Sequence, residues 1–514
     1  MCNKPFYITT PIYYVNGEPH IGTAYTTIAC DTMARFQRMD GRDVMFLTGL
    51  DEHGQKVAKS AEEHDMTPQE WCDHLVPQFT DLWEELKITN DDFIRTTQER
   101  HIASVQQFLT KLYDNGYLYK GGYQGFYCTP CETFFTEEEL VDGKCPDCGR
   151  DVEYISEENW FFKLSEFGDK LLALYDERPD FVQPQIRANE VRSFVEGGLN
   201  DLSVSRTTFD WGVPLPFDEQ HVTYVWVDAL INYLTALGYG SDDTEKLGKF
   251  WPVNFHVVGK DIIRFHCVIW PAMLMAAGIE VPQHVFAQGF LMAADGSKMS
   301  KSKGNAIYPR ELIDRYGVDA SRYYLLSDIT YGADANVGYD RITQVYNADL
   351  ANSYGNLFSR VSNMTKKYFE GKVPEVPAEL AAAGNPLKEI ADTLYPRIHD
   401  CMNAVDFAGA TAAVMELVHR ANLYVEESAP WNLAKSEETQ GELAAVIYNT
   451  LETCRIAALY LAPFMPTTSA ELWRRLSLDD VTEVTDLEAA SRWGGLPVGN
   501  DVEKGDALFP RLTA

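Results

Sequence analysis

The chain of 514 residues has no apolar run long enough to cross a membrane. Its longest run, CVIWPAMLMAAG at 267–278, is shorter than the roughly 20 residues that a spanning helix needs. The first residues, MCNKPFYITT, lack the basic segment and apolar stretch of a secretory signal. We therefore expect no membrane contacts, and the use of cysteine described below predicts a cytoplasmic protein.

The chain also lacks the basic character of a general nucleic-acid binder. Its formal net charge is −32, whereas proteins that bind nucleic acid are usually basic over the contact domain. We expect no binding to DNA, and any contact with RNA has to use a local basic surface. With 45% hydrophobic and 23% charged residues, the composition is that of a globular protein of several domains.

A disulfide framework is missing as well, although the chain has ten cysteines. Six are scattered, as in proteins of reducing compartments: Cys2, Cys30, Cys72, Cys267, Cys401 and Cys454. The others form C-x2-C-x13-C-x2-C, namely Cys128, Cys131, Cys145 and Cys148. Two such knuckles can hold one Zn2+ with four thiolates, and they leave no open coordination position. We predict one structural zinc.

What the sequence does contain is an alternation of strand and helix patterns. Residues 5–60 read as a βαβ unit, and the alternation resumes after residue 225 with a strand at 254–259, a helix at 261–278 and a strand at 284–290. Strands joined by helical crossovers form parallel sheets. We predict a doubly wound α/β domain that is split by an insertion at about 117–225. The pattern is helical from about 341.

Two stretches carry the signs of a phosphate site. PHIGT at 19–23 puts His20 and Gly22 at the start of the helix after the first strand, where open α/β sheets bind ligands and free N–H groups meet phosphate. The plainer alternative is a histidine that caps the helix beside a packing glycine. The second stretch, GFLMAADGSKMSKSKGN at 289–305, holds Lys298, Lys301 and Lys303 in a loop of small residues, which suits a triphosphate. The alternative here is a solvated loop.

Together the two stretches resemble the class I aminoacyl-tRNA synthetases, whose signatures are His-Ile-Gly-His and Lys-Met-Ser-Lys-Ser. Residues 298–302 match the second fully, and residues 20–23 match the first except at Thr23, which can donate a hydrogen bond but carries no charge. The resemblance implies His20, Lys298 and Lys301 as catalytic residues, with Mg2+ bound to ATP. It implies an ATP site of His20, Gly22, Thr23, Lys298, Met299, Ser300 and Lys301.

Four further stretches resemble the methionyl-tRNA synthetases: PIYYVNG, TGLDEHGQK, YVWVDALINYL and GKDIIRFHCVIWPAML. This resemblance implies a methionine pocket of Ile12, Tyr14, Asp51, Trp226, Ala229, Tyr233, Ile262 and His266. Asp51 would pair the ammonium group, aromatic rings would pack against the thioether, and Tyr14 or His266 would offer the sulfur a weak hydrogen bond. Without the resemblance, Trp226, Ala229 and Tyr233 read as an ordinary buried helix face. Leu202 stands where some members carry tryptophan.

The helical region places Asn352, Asn356 and Arg360 at intervals of four, on one predicted helix face, and Trp431 follows later. The resemblance implies that these four residues read the CAU anticodon, by stacking and by hydrogen bonds to base edges. Core or capping roles are the alternatives. The lysines that follow the first three residues would supply a local basic surface: Lys366, Lys367 and Lys372.

The implied activity is the joining of methionine to initiator and elongator tRNA(Met), with methionyl-adenylate and pyrophosphate formed from ATP on the way. The implied domains are catalytic halves at 1–116 and 226–294, the zinc-bearing insertion at 117–225, the lysine-loop and stem-contact region at 295–340, and an anticodon-binding domain at 341–514. No dimerising domain is recognisable, so we expect a monomer.

Three alternatives stay open. A leucyl, isoleucyl or valyl synthetase would need a larger insertion, and a nucleotidyltransferase would need neither the zinc module nor the helical region. A non-catalytic tRNA-binding relic is compatible with Thr23.

Overall fold

The computed structural model describes residues 4–129, 131, 133–146, 148–299 and 304–513. The first segment alternates strands and helices: β1 Phe6–Tyr14, α1 Ile21–Met39, β2 Val44–Asp51, α2 Gln55–Glu62, α3 Pro68–Glu85, β3 Asp92–Arg95 and α4 Glu99–Asp114. Every residue of β2 is buried, as expected for a parallel strand covered on both faces. Helix α1 stops before Gly41, whose φ of +83° suits glycine after a helix end.

The next segment is mostly antiparallel. Its elements are β4 Leu118–Cys128, β5 Thr133–Phe135, β6 Glu153–Phe162, α5 Gly168–Glu177, β7 Val182–Gln183, α6 Gln185–Glu196, β8 Leu202–Ser203, β9 Ser205–Arg206, β10 Pro214–Leu215 and β11 Asp218–Thr223. One sheet has the order β5-β4-β6-β8 and another β10-β11-β9. Strand β7 instead pairs in parallel with a strand of the central sheet, so the segment predicted as an insertion shares that sheet's edge.

The third segment completes the central sheet. Its elements are α7 Val225–Thr235, α8 Glu245–Phe250, β12 Phe255–Gly259, α9 Trp270–Ala277, β13 His284–Gln288, β14 Leu291–Ala293, α10 Pro309–Tyr316, α11 Val318–Ser327 and β15 Ala335–Val337. The central sheet has six parallel strands in the order β3-β2-β1-β12-β13-β7. This order confirms the predicted doubly wound fold.

The helix predicted over 261–278 is not one regular α-helix. Residues Lys260–Ile262 form a 3-10 turn and Phe265–Ile269 a π-helix, and only Trp270–Ala277 is α-helical. Pro271 has no N–H for an interior helical hydrogen bond, and its ring crowds the carbonyl four residues earlier. The wider π turn before it avoids that clash. Such turns often occur at functional sites.

The last segment is helical. Its elements are α12 Tyr339–Val345, α13 Asn356–Tyr368, α14 Ala378–Ala381, α15 Pro386–Asn403, α16 Phe407–Ser428, α17 Pro430–Leu433, α18 Gln440–Leu461, α19 Pro466–Arg475 and α20 Leu487–Ala490. A π-helix at Tyr346–Gly355 joins α12 to α13, so Asn352 and Asn356 are not separated by a regular α-helical turn as predicted. Helix α12 spans the domain boundary predicted near 341.

Two buried cores cover the faces of the central sheet. On β1, Phe6 and Ile8 join the core that extends into the C-terminal helices, and Tyr7 joins the core that includes α4, α7 and α9. The alternation of side chains along a strand accounts for this division. In the part of the chain that the structure describes, no helix is long and apolar enough to traverse a bilayer.

Candidate active site

His20 is the N-cap of α1. Its Nδ1 accepts hydrogen bonds from the backbone N–H groups of Gly22 at 3.1 Å and Thr23 at 3.3 Å. The expectation that these N–H groups would point freely at a phosphate is therefore wrong for this conformation. Because Nδ1 accepts, the proton of the neutral ring belongs on Nε2, which gives the exposed imidazole a donor at its outer edge. Thr23 is only 5% exposed.

The loop with the predicted lysines follows the end of β13. Gln288, the last residue of that strand, donates a side-chain hydrogen bond to Thr26 on α1, which ties the base of the loop to the helix that His20 caps. Lys298 is exposed, and its Nζ lies 5.8 Å from the centre of the Phe290 ring. Met299 is partly buried against the core. Ser300 and Lys301 lie outside the described residues.

The carboxyl ends of β1 and β2 form one wall of the predicted methionine pocket. In the parallel register, Ile12 lies opposite Gly49 and Tyr14 opposite Asp51. Asp51 is 2% exposed, so its carboxylate is held away from bulk water. A buried carboxylate at the carboxyl edge of a parallel sheet is well placed to bind a cationic ligand group.

Helix α7 and the π-helix form a second, aromatic wall. Trp226 on α7 stacks on Phe265 of the π-helix with ring centres 3.9 Å apart, and the Tyr14 ring meets Trp226 edge-on at 6.0 Å. The Trp226 Nε1 atom is buried and makes no hydrogen bond to any described residue. No residue pattern in the sequence points to Phe265, because its role depends on the π turn.

Tyr233 and His266 are joined inside the same wall. The Tyr233 hydroxyl lies 2.7 Å from His266 Nε2, and His266 Nδ1 lies 3.1 Å from the carbonyl oxygen of Ile262. A carbonyl only accepts, so Nδ1 carries the proton and Nε2 accepts from Tyr233. Burial lowers the pKa of His266 to about 4, which keeps the ring neutral at pH 7. Both ring nitrogens are engaged, so His266 orients Tyr233 and has no N–H left for a ligand sulfur.

The remaining predicted pocket residues lie on the same two elements. Ala229 is buried on α7, one turn after Trp226, and Ile262 is half-buried before the π-helix. The buried-helix-face alternative and the pocket prediction are thus compatible, because one face of α7 is both part of the core and part of this wall. Leu202 is half-buried against the same core.

The four cysteines of the two knuckles converge as predicted. Their sulfur atoms all lie within 4.8 Å of one another, with Cys128 and Cys148 at 3.6 Å and Cys131 and Cys145 at 3.9 Å. Tetrahedral zinc with bonds of about 2.3 Å needs sulfur separations of about 3.8 Å, so the cage fits Zn2+. Burial raises the pKa of Cys128 to about 12, and a bound cation would therefore release protons from the thiols.

The predicted anticodon residues share an exposed character in the helical region. Asn352 and Asn356 are exposed, and Trp431 is 41% exposed, which excludes the core role that was its alternative. Arg360 is partly exposed and pairs with Glu426 at 2.7 Å. Lys366 and Lys367 on α13 are exposed, whereas Lys372 pairs with Asp501. An exposed tryptophan, amides and a guanidinium are residue types that suit single-stranded bases.

Comparison with known proteins agrees with this arrangement. The chain matches the family model described as tRNA synthetases class I (M) over residues 6–155 and 148–362, and the anticodon binding domain of methionyl tRNA ligase over residues 373–514. The parallel sheet, its lysine loop and the helical domain thus define a class I aminoacyl-tRNA synthetase.

Individual relatives specify the class further. A methionine–tRNA ligase of Caldanaerobacter subterraneus subsp. tengcongensis is 50% identical over 99% of this chain and 79% of its own length. The Streptomyces coelicolor enzyme is 47% identical over 99% of this chain and 97% of its own length. The Mycobacterium tuberculosis methionyl-tRNA synthetase in complex with methionyl-adenylate superposes with a TM-score of 0.93 at 42% identity, covering 99% of this chain and 100% of the other. The chain belongs to the methionine–tRNA ligase family.

Proposed function

We infer that this chain is an ATP-dependent methionine–tRNA ligase. The observation that carries the inference is the meeting of the buried Asp51 carboxylate with an aromatic wall at the carboxyl edge of the sheet. Such a pocket offers a carboxylate to an ammonium group and, beside it, aromatic rings and aliphatic groups, the surroundings that an unbranched thioether prefers. In the M. tuberculosis relative the bound molecule is methionyl-adenylate.

In the first step, the methionine carboxylate attacks the α-phosphorus of ATP and expels pyrophosphate. We propose that Asp51 holds the ammonium group, so that the carboxylate points out of the pocket toward the N-terminus of α1. There the Nε2–H edge of His20 can donate to a phosphate oxygen, since Nδ1 is committed to the helix cap. Catalysis of this kind depends on positioning and on charge stabilisation.

We assign the charge of the leaving group to the lysine loop. Lys298 is exposed on a loop whose base is tied to α1 through Gln288, and Lys301 is assigned from the sequence signature. Mg2+ bound to ATP would neutralise part of the pyrophosphate charge when present. Thr23 carries no charge and is buried, so the activation step would depend on His20 and the lysines.

In the second step, a ribose hydroxyl of the terminal adenosine of tRNA takes the methionyl group from the adenylate. Asn352, Asn356, Arg360 and Trp431 are proposed to read the anticodon of initiator and elongator tRNA(Met), so that the RNA meets only a local part of the surface of an acidic protein. We further propose that the protein acts as a cytoplasmic monomer that does not bind DNA. The zinc module is proposed to be structural.

The test is amino-acid-dependent ATP–pyrophosphate exchange, measured with the purified protein and each of the twenty amino acids. Methionine should support exchange well above the others. Exchange strongest with leucine, isoleucine or valine would refute the methionine pocket. A protein that binds tRNA(Met) without any exchange would support the non-catalytic alternative that Thr23 raised.

A further inference from the structure

A carboxylate is buried on α7 next to the pocket wall but outside the predicted site. The side chain of Asp228 is fully buried. His53 Nδ1 lies 2.7 Å from its Oδ2, and His101 Nε2 lies 2.8 Å from its Oδ1. The side chain of His101 is fully buried too, and that of His53 nearly so. One carboxylate thus accepts from two imidazoles in the interior.

Asp228 is ionised in this setting. Burial opposes its charge, but the attraction of His53 and the hydrogen bonds from both imidazoles outweigh burial and hold its pKa at about 2. A buried anion persists only where its hydrogen-bonding partners compensate for lost hydration, and removal of one partner is costly. The arrangement is therefore rigid, because each carboxylate oxygen has one fixed donor.

The chain connections of this group place it between the two pocket walls. His53 follows Asp51 by two residues, directly after β2. Asp228 lies on α7 between Trp226 and Ala229. The hydrogen bond between His53 and Asp228 thus ties the segment that follows Asp51 directly to the helix that carries Trp226 and Ala229. His53 and Asp228 are 175 residues apart in sequence, so this hydrogen bond forms only because the fold brings the two segments together.

His101 anchors the other side of the carboxylate. Its Nδ1 lies 3.1 Å from the Thr235 hydroxyl at the end of α7. His101 belongs to α4, which packs on α7 in the second core. The carboxylate is consequently held by His101 of α4 on one oxygen and linked to the Asp51 segment by His53 on the other.

We propose that Asp228 is a positioning residue for the amino-acid pocket, and that it sets the distance between Asp51 and the aromatic wall through His53. The proposal rests on the function inferred above. It predicts that loss of the tie weakens recognition of the amino acid, because the ammonium and the side chain are then held by walls that shift relative to each other. Recognition of ATP, which uses α1 and the lysine loop, should be little affected.

The test compares Asp228→Asn, His53→Gln and the double variant in methionine-dependent exchange. Asparagine keeps the shape of aspartate but is uncharged. Only its Oδ1 can accept a hydrogen bond, so it cannot accept from both imidazoles. Misplacement of a bound group by about 1 Å costs about 100-fold, so we expect KM for methionine to rise about 10- to 100-fold in either single variant. KM for ATP should stay within about twofold. Because both changes break the same hydrogen bond, KM for methionine in the double variant should be no higher than in the more impaired of the two single variants.

Glu452→Gln is the matched control. Glu452 is an equally buried carboxylate in α18 that accepts from Arg455 and from three backbone N–H groups, and it lies in the helical region. This variant should lower the melting temperature without changing KM for methionine. If Asp228→Asn fails to fold, His53→Gln alone decides.

Two results would overturn the proposal: an unchanged KM for methionine in a folded His53→Gln protein, or an equal rise of KM for ATP. Failure of the proposed function itself would look different, because the unmodified protein would then lack methionine-dependent exchange.

Discussion

His20 and His266 show how the neighbours of each ring nitrogen assign different roles to chemically equal side chains. His20 is exposed and uses Nδ1 as an acceptor for the helix cap, so its proton faces outward. His266 is buried and uses Nε2 as an acceptor for Tyr233, so its proton faces a carbonyl oxygen. The first is suited to contact a ligand anion, and the second to hold another side chain.

Gly22 makes the position of the His20 ring possible. A Cβ at Gly22 would lie 3.0 Å from Cε1 and 3.1 Å from Nδ1 of His20, so Gly22→Ala should push the ring off the cap. We expect methionine activation to slow by about 10- to 100-fold through misplacement of the ring, with a loss of about 1 kcal/mol in stability from the cap. Exchange rates and melting curves measure both.

Gly248→Ala is the control for that variant. Gly248 lies in the short helix α8, and a Cβ there would meet nothing within 4 Å. Gly248→Ala should leave the rate of methionine activation unchanged. If Gly22→Ala were as active as the unmodified protein, the cap would have no part in orienting His20.

The depressed pKa of His266 predicts a dependence of stability on pH. Unfolded histidine titrates near 6.5 and the buried ring near 4, so between these values the unfolded chain binds more protons and stability falls as the pH falls. From pH 7 to pH 5 this group should cost about 2 kcal/mol. Between pH 7 and pH 5, the free energy of unfolding of His266→Gln should therefore fall by about 2 kcal/mol less than that of the unmodified protein.

Denaturant unfolding at pH 7 and pH 5 measures the effect. His419→Gln replaces an exposed histidine and should retain the full pH dependence. The same pH dependence in His266→Gln as in the unmodified protein would show that this ring does not stay neutral in the folded state.

At the scale of elements, short irregular pieces shape both candidate sites. The π-helix at Phe265–Ile269 turns Phe265 and His266 toward α7, and the π-helix at Tyr346–Gly355 precedes the exposed Asn356. The two cysteine knuckles are a further irregular piece with a small core of their own, in which Phe126, Phe135, Leu140 and Val152 pack against the four cysteines. A module with so few apolar contacts depends on its metal for stability.

Cys145→Ser should accordingly remove the zinc. One of four thiolates is lost, and serine is a poor ligand for this metal. We expect bound zinc to fall from about one ion per chain to a small fraction of that, with a lower melting temperature. Metal analysis by atomic emission after dialysis measures it. Cys401→Ser, which changes a cysteine outside the knuckles, should keep the zinc. Full zinc occupancy in Cys145→Ser would refute the four-thiolate site.

At the scale of the whole molecule, one buried arginine joins the catalytic sheet to the helical region. Arg322 on α11 donates to Asp31 on α1 at 2.7 Å and to the carbonyl oxygens of Pro463 at 2.9 Å and Phe464 at 3.1 Å. Burial opposes the charge of Asp31, but Arg322 and Arg35 outweigh burial and keep its pKa below the ordinary value. The helix that His20 caps is thus fastened to the segment after α18.

Asp31→Asn should loosen this connection. Breaking a buried ion pair on one side typically costs about 3–5 kcal/mol, because the remaining charge loses its compensation. In differential scanning calorimetry, the unfolding transition should move to a lower temperature and separate into two transitions. Asp328→Asn, which breaks a more exposed pair with Arg341, should cost about 1 kcal/mol or less. An unchanged transition in Asp31→Asn would mean that other contacts hold the two regions together.

Much of this arrangement could be predicted from residues that are close in sequence. The strand and helix alternation, the paired knuckles and the two signatures are local patterns, and local patterns suffice where hydrophobic period and ligand spacing determine the outcome. The doubly wound sheet and the convergence of Cys128, Cys131, Cys145 and Cys148 followed in this way. So did the family.

Tertiary structure alone decided the features that join distant segments. The tie from His53 to Asp228, the stacking of Phe265 on Trp226 and the anchoring of α1 by Arg322 each link residues far apart in sequence, and no local pattern carries that information. The cap geometry of His20 and the engaged nitrogens of His266 were likewise undetermined, because hydrogen-bond partners depend on packing. The sequence determined which functional groups the chain has, and packing decided which atoms of those groups are engaged and which face a candidate site.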